Sequence, residues 1–191
     1  MADPVDIQSM MQILWIFFVV MIFIIIMYVY QSLAFMKIAQ KLKTKNPWLA
    51  WIPVANSVLQ ANMAGMHWWP VLLYAVLLFF YIIMFIFALF QNITVVNIIS
   101  FITYIPSIII SVYTLIWLWR IYEKVSRPGY WAILPVIVIF FFTALLFLST
   151  LYPAFLVISI IGIILGIILQ MLFLGVAAWH KNSIVKKSSK K

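Results

Sequence analysis

The residues of this chain with polar chemistry to offer are few, and most of them cluster. Asn56, Ser57, Gln60 and Asn62 stand close together, and Asn56 and Gln60, four apart, share one face of any helix built on them. Amides in a re-entrant membrane segment can line a pore or a polar headgroup pocket. On an amphipathic helix at a membrane surface the same amides face water, and that second arrangement is the expected one here. His67 and His180 are the only histidines. His67 precedes Trp68 and Trp69, where its ring can meet lipid phosphate; a metal site needs further ligands, and none lies near it in sequence. Glu123 is the one carboxylate beyond Asp3 and Asp6, and Arg127 follows it at the spacing of a solvated helical ion pair. Gly162 and Gly166 form a G-x-x-x-G with Ser159 one turn earlier, a pattern that lets helices approach closely within the chain or between copies. Gln170 can hydrogen-bond a neighbouring helix from the same face region.

What is missing narrows the chemistry further. Cysteine is absent, which removes disulfides, thiolate metal sites and thiol catalysis. Neither a Gly-rich phosphate loop nor a carboxylate pair occurs, so nucleotide hydrolysis and acid–base catalysis lack their minimum parts. Catalytic residues, cofactor and metal are therefore all expected to be none, and the chain is not expected to be an enzyme.

These side chains sit in a setting of hydrocarbon. The chain of 191 residues is 68% hydrophobic and 8% charged, where soluble domains carry about 25% charged residues. A helical span needs about 20 apolar residues, and the sequence offers five such runs, at approximately 13–35, 68–90, 98–119, 130–151 and 154–179. They are too long and too uniformly apolar for barrel strands. A polar loop at 91–97 joins the second to the third, Tyr152-Pro153 turns the fourth into the fifth, and Pro106 and Pro135 lie inside spans. No Lys, Arg, Asp or Glu lies within a run, whereas coupled transporters usually bury one or more. The expected fold is all-α: a polytopic membrane helix bundle of five transmembrane helices plus one interfacial or re-entrant segment, with residues 1–191 as a single integral membrane domain.

That extra segment, 47–66, is long enough to cross but carries Pro53 and the amides. If it does not cross, all twelve Lys and Arg fall on one side of the membrane, from the Lys37–Lys45 cluster through Arg120, Lys124 and Arg127 to the basic tail 180–191. If it did cross, the middle cluster would change sides. The positive-inside rule favours the first topology, with the N-terminus outside and the C-terminus cytoplasmic. The net charge of +9 is then topogenic, and nucleic acid is not an expected partner.

An internal repeat lies at the basic end. Lys37-Ile38-Ala39-Gln40-Lys41 matches Arg120-Ile121-Tyr122-Glu123-Lys124 at an offset of 83, and Ala50 and Pro53 match Ala132 and Pro135 at 82; Trp179-His180-Lys181 is a fainter third echo. Tryptophan favours the headgroup region, and Lys or Arg beside it snorkels to phosphate. Eight of the nine Trp, all but Trp15, fall near this interface. Lys37, Lys41, Trp48, Trp51, Arg120, Lys124 and Trp131 are accordingly candidate headgroup contacts.

At Lys37–Lys41, at Trp48-Leu49-Ala50-Trp51-Ile52-Pro53-Val54-Ala55-Asn56 and at Ala64-Gly65-Met66-His67-Trp68-Trp69 the sequence resembles a family of small bacterial and archaeal membrane proteins of unknown function. Pro47 stands where that family usually has Ala, and no Asn follows Pro135 at the matching position. The resemblance implies the same polytopic fold and a prokaryotic cell membrane. Related modules can occur beside signal-peptidase-like sequences, but a Ser-Lys dyad works outside the membrane and the outer segments contain no Lys. The leading expectation is a structural or accessory subunit, with other membrane subunits or further copies of itself as partners. A channel using Asn56, Ser57, Gln60 and Asn62, and a protein that organises anionic membrane lipids, are the alternatives.

Overall fold

The computed structural model describes residues 4–148 and 154–180; the turn at Tyr152-Pro153 and the tail lysines from Lys181 onward lie outside them. Among the described residues the chain is helical throughout: α1 (Pro4–Lys41), α2 (Pro53–Ala64), α3 (Leu72–Leu89), α4 (Ile93–Lys124), α5 (Leu134–Leu148) and α6 (Ala154–Trp179). Short 3-10 turns at Pro47–Trp51, Trp69–Val71 and Gly129–Trp131 lead into α2, α3 and α5. Five helical segments are long and apolar enough to cross a membrane, and α2 is not among them.

The two longest helices carry the repeated sequence at their ends. At 38 and 32 residues, α1 and α4 measure about 57 and 48 Å at 1.5 Å per residue, well beyond a hydrocarbon core of about 30 Å. The core of the molecule gathers where they project. Phe35 and Ile38 of α1, Leu59 and Met63 of α2, Trp117, Ile121 and Tyr122 of α4 and Leu174 of α6 form one buried cluster with their neighbours. The opposite half of the bundle is thinly packed, and from Met10 to Ile26 the large apolar side chains of α1 are exposed. Ser32, Ala34 and Ala39 are the small residues that let the last third of α1 close on the bundle.

Several boundaries depart from the expected ones. The polar loop at 91–97 is only a tight turn: Gln91 takes a left-handed conformation (φ 55°), and Asn92 caps α4 by accepting a hydrogen bond from the Val95 N–H at 3.3 Å. The helix thus begins five residues before the expected span, because an Asn side chain can satisfy an orphan N–H that hydropathy ignores. Pro135 lies at the second position of α5, where its missing N–H costs nothing, so it starts a helix instead of kinking a span. Pro106 is inside α4 as expected. Around it the hydroxyls of Ser100, Thr103, Ser107 and Ser111 donate back to carbonyls of their own helix at 2.7–2.9 Å, and that of Ser100 also reaches Met84 Sδ of α3 at 3.3 Å.

Gly162 and Gly166 serve the contact between α5 and α6. A β-carbon at Gly162 would run into the Phe142 ring and one at Gly166 into Ile139, and Ser159 in the same row is fully buried. The small-residue stripe is consumed inside the chain.

Candidate functional site: the basic end of the bundle

The repeat is a repeat of backbone as well as of sequence. In α1 the Thr44 N–H donates to the Ala39 carbonyl at 2.9 Å and the Lys43 N–H to Gln40 at 3.1 Å. In α4 the Arg127 N–H donates to Tyr122 at 2.8 Å and the Ser126 N–H to Glu123 at 3.0 Å, every atom displaced by the same offset. Both are Schellman caps, and the left-handed residue each requires is Lys43 (φ 53°) or Ser126 (φ 59°). The inward faces match as well. Ala34, Phe35, Ile38 and Ala39 are buried in α1, and Trp117, Leu118, Ile121 and Tyr122 in α4, at the same offset although only the isoleucines are alike.

Each copy then locks a neighbouring helix by its C-terminus. Lys41 Nζ donates to the carbonyls of Ala177 and His180 at 2.8 and 2.9 Å, across the end of α6. Lys124 Nζ donates to the Met63 carbonyl at 2.8 Å, across the end of α2. A cation on the last carbonyls of a helix satisfies groups that have no partner within the helix and complements its dipole. One tyrosine about three turns upstream in each copy meets a tryptophan at or just past the end of the same neighbour: Tyr30 with Trp179 at 5.4 Å and Tyr113 with Trp69 at 5.5 Å between centroids. Tyr30 also donates to the Met171 carbonyl at 3.0 Å, and Tyr28 to that of Trp51.

The candidate polar residues divide. Asn56 and Gln60 are buried, in place of the water-facing position expected of a surface helix, while Ser57 is half-buried and Asn62 exposed. The reason is that α2 packs against α4 along the face that holds Asn56, Leu59, Gln60 and Met63. Gln60 Nε2 donates to Asn56 Oδ1 at 3.4 Å, the long limit of such a bond, and Gln60 Oε1 has no partner. The Trp117 N–H and the Ser32 hydroxyl are also buried without partners.

Glu123 accepts a hydrogen bond from Trp119 Nε1 at 2.7 Å. The Schellman cap ends α4 at Lys124, so Arg127 does not continue the helix that carries Glu123, as the expected helical pair requires. The Arg127 guanidinium lies over the Trp131 ring, 5.5 Å from its centre, and Trp131 in turn stacks on Phe173 of α6 at 4.6 Å. Trp48 and Trp51 are exposed, as are Lys37 and Arg120. Arg120 makes no hydrogen bond or ion pair among the described residues, and it borders two clefts. One, of about 310 Å³, is lined by Gly65, Met66, His67, Trp69, Tyr113 and Arg120; the other, of about 340 Å³, includes Trp119, Glu123 and Ile133. Among the described residues no three His, Cys, Asp or Glu come together as a metal site would need.

The lysine locks and matched caps are what sequence reading misses. The equal offsets of Lys37, Lys41, Arg120 and Lys124 were the available signal, but they do not say what each ammonium group touches.

The architecture is that of an all-α helical bundle whose five long helices make it a membrane-embedded protein, with its tightest packing at the basic end. No protein-family model, curated protein or solved structure matches the chain.

Proposed function

We propose that this is a non-enzymatic protein of a prokaryotic cell membrane that organises anionic lipid at its basic, tryptophan-rich end. The observation that carries this reading is a division of labour among the cations. Lys41 and Lys124 hold helix ends, whereas Lys37 and Arg120, one turn before them in each copy, are exposed. Each such residue near an anionic surface is worth about 1 kcal/mol. Under the positive-inside rule this end faces the cytoplasm, which places the N-terminus outside. The resemblance to small prokaryotic membrane proteins belongs to the same proposal. The channel reading is the weaker for the burial of Asn56 and Gln60 against α4, where they bond to each other.

The test uses the protein's own tryptophans, which cluster at this end. In bilayers of phosphatidylcholine and phosphatidylglycerol, brominated phosphatidylglycerol should quench their fluorescence more strongly than brominated phosphatidylcholine at the same mole fraction. Equal quenching by the two lipids removes the reading.

A second reading, an accessory subunit of a membrane complex, draws on α1. Its apolar side chains from Met10 to Ile26 touch little of their own chain, which suits a helix laid against another protein. Isolation in mild detergent as a lone monomer, with no protein recovered alongside, would rule it out.

A further inference from the structure

We propose that the cleft bounded by Gly65, His67, Trp69, Tyr113 and Arg120 is a discrete site for one phosphate group, with the aromatic pair as its apolar wall. This inference rests on the lipid-facing reading of the basic end and adds a defined position and stoichiometry to it.

Four observations converge on the cleft. Arg120 lines it with its guanidinium uncommitted among the described residues, and a guanidinium presents paired N–H donors matched to two phosphate oxygens. His67 lines it too and supplies a ring donor. Lys124 stands on the rim: its Nζ lies 2.9 Å from where a β-carbon on Gly65 would be. Its bond to Met63 uses one of three N–H donors and leaves two. Finally, Trp69 and Tyr113 meet edge to face at 5.5 Å, an apolar surface beside the cations that the glycerol backbone or first acyl carbons of a lipid could lie against.

The first copy of the repeat supplies an internal comparison. Its cleft, of about 630 Å³, is lined by Tyr30, Leu33, Gly175, Trp179 and others. It has the same kind of aromatic pair, yet Lys37, the counterpart of Arg120, does not line it, and Lys41 is committed to two carbonyls. His180 lines the first cleft as His67 lines the second, but among the described residues only the second cleft has an Arg or Lys in its lining. Gly65 suits this position because its φ of 71° is one that a residue with a side chain adopts only under strain.

A phosphate group can arrive on a lipid or free in solution, and the experiment separates the two. The protein is held in a neutral detergent, phosphatidylglycerol is added, and bound lipid is counted by native mass spectrometry. One phosphatidylglycerol should be retained per chain, and Arg120→Gln should weaken its retention by roughly tenfold or more, as expected for losing a charge-assisted bidentate contact. Lys37→Gln removes the same charge from the matching position outside the cleft and should weaken retention clearly less than Arg120→Gln does. Arg120→Lys, which keeps the charge without the fork, should fall between. Inorganic phosphate added in excess should not displace the lipid if the site takes a lipid headgroup; displacement assigns the cleft to a soluble phosphoryl ligand instead. Equal losses from Arg120→Gln and Lys37→Gln would overturn the discrete site while leaving a diffuse preference for anionic lipid intact. No effect of either variant on retention, with the bilayer quenching preference preserved, would overturn it as well. Because Arg120 is exposed and bonds to nothing described, its variants should keep the wild-type helical circular dichroism.

Discussion

Replacing Lys41 with Met should loosen the basic end more than replacing Lys124 does, although the two residues occupy the same place in the repeat. Lys41 makes two short bonds to the end of α6, at 2.8 and 2.9 Å, and is half-buried; Lys124 makes one to the end of α2, at 2.8 Å, and is exposed. A hydrogen bond to a charged group contributes about 1.5–3 kcal/mol, and the lower figure applies this close to water. Freeing a lysine side chain returns about 1.5–2 kcal/mol of rotamer entropy, which offsets most of one such bond. Lys41→Met should therefore cost about 1–2 kcal/mol and Lys124→Met about 0.5 kcal/mol or less. The assay is reversible unfolding in mixed micelles of mild detergent and dodecyl sulfate, followed by tryptophan fluorescence. The Tyr30–Trp179 pair next to the Lys41 lock gives a local near-UV signal that should weaken in Lys41→Met and persist in Lys124→Met. If Lys124→Met proved as costly as Lys41→Met, or if neither had an effect, the ammonium–carbonyl bonds would not be what holds these helix ends.

Three further outcomes follow from the same geometry. Replacing Asn56 with Leu and Gln60 with Met together should stabilise the protein by about 1–2 kcal/mol in the same unfolding assay, because an unpaired buried acceptor is removed and only a long hydrogen bond is lost; a clear destabilisation would mean that something else satisfies these amides. Gly162→Leu should destabilise by about 3 kcal/mol or more, since its side chain must displace the Phe142 ring at the α5–α6 contact, and a neutral result would remove that packing. The chain has no cysteine, so single substitutions report topology directly: Lys45→Cys and Asn62→Cys should react with an impermeant thiol reagent from the cytoplasmic side and Gln91→Cys from the other, whereas labelling of Gln91→Cys on the side of Lys45→Cys, with Asn62→Cys on the opposite side, would place α2 across the membrane.

The elements legible in the sequence are those written in composition. Runs of apolar residues as long as Trp68–Phe90 can be satisfied only by helices in hydrocarbon, since every backbone N–H and C=O must bond within its own segment. Boundaries were less legible, because they depend on single side chains that hydropathy averages away: Asn92 starts α4 early, and Pro135 begins α5 instead of bending it. The repeat was visible through Lys37, Ile38 and Lys41 against Arg120, Ile121 and Lys124. It was hidden where Ala34 and Ala39 correspond to Trp117 and Tyr122, because a buried position constrains the volume shared with its neighbours and leaves the identity of one residue free.

The polar residues make the sharpest contrast. Asn56 and Gln60 read as a pair on one helical face, and four-residue spacing is a property of the chain alone. Whether that face meets water or another helix is not, and only the docking of α2 against α4 decided that it is buried. For the cations the division is the same. Sequence by itself determined that they gather at one end of an all-helical membrane bundle, since the bilayer sorts charge by position along the chain. Tertiary structure alone decided that Lys41 and Lys124 hold helix ends while Arg120 borders a cleft, because the carbonyls that Lys41 and Lys124 reach lie 136 and 61 residues away along the chain.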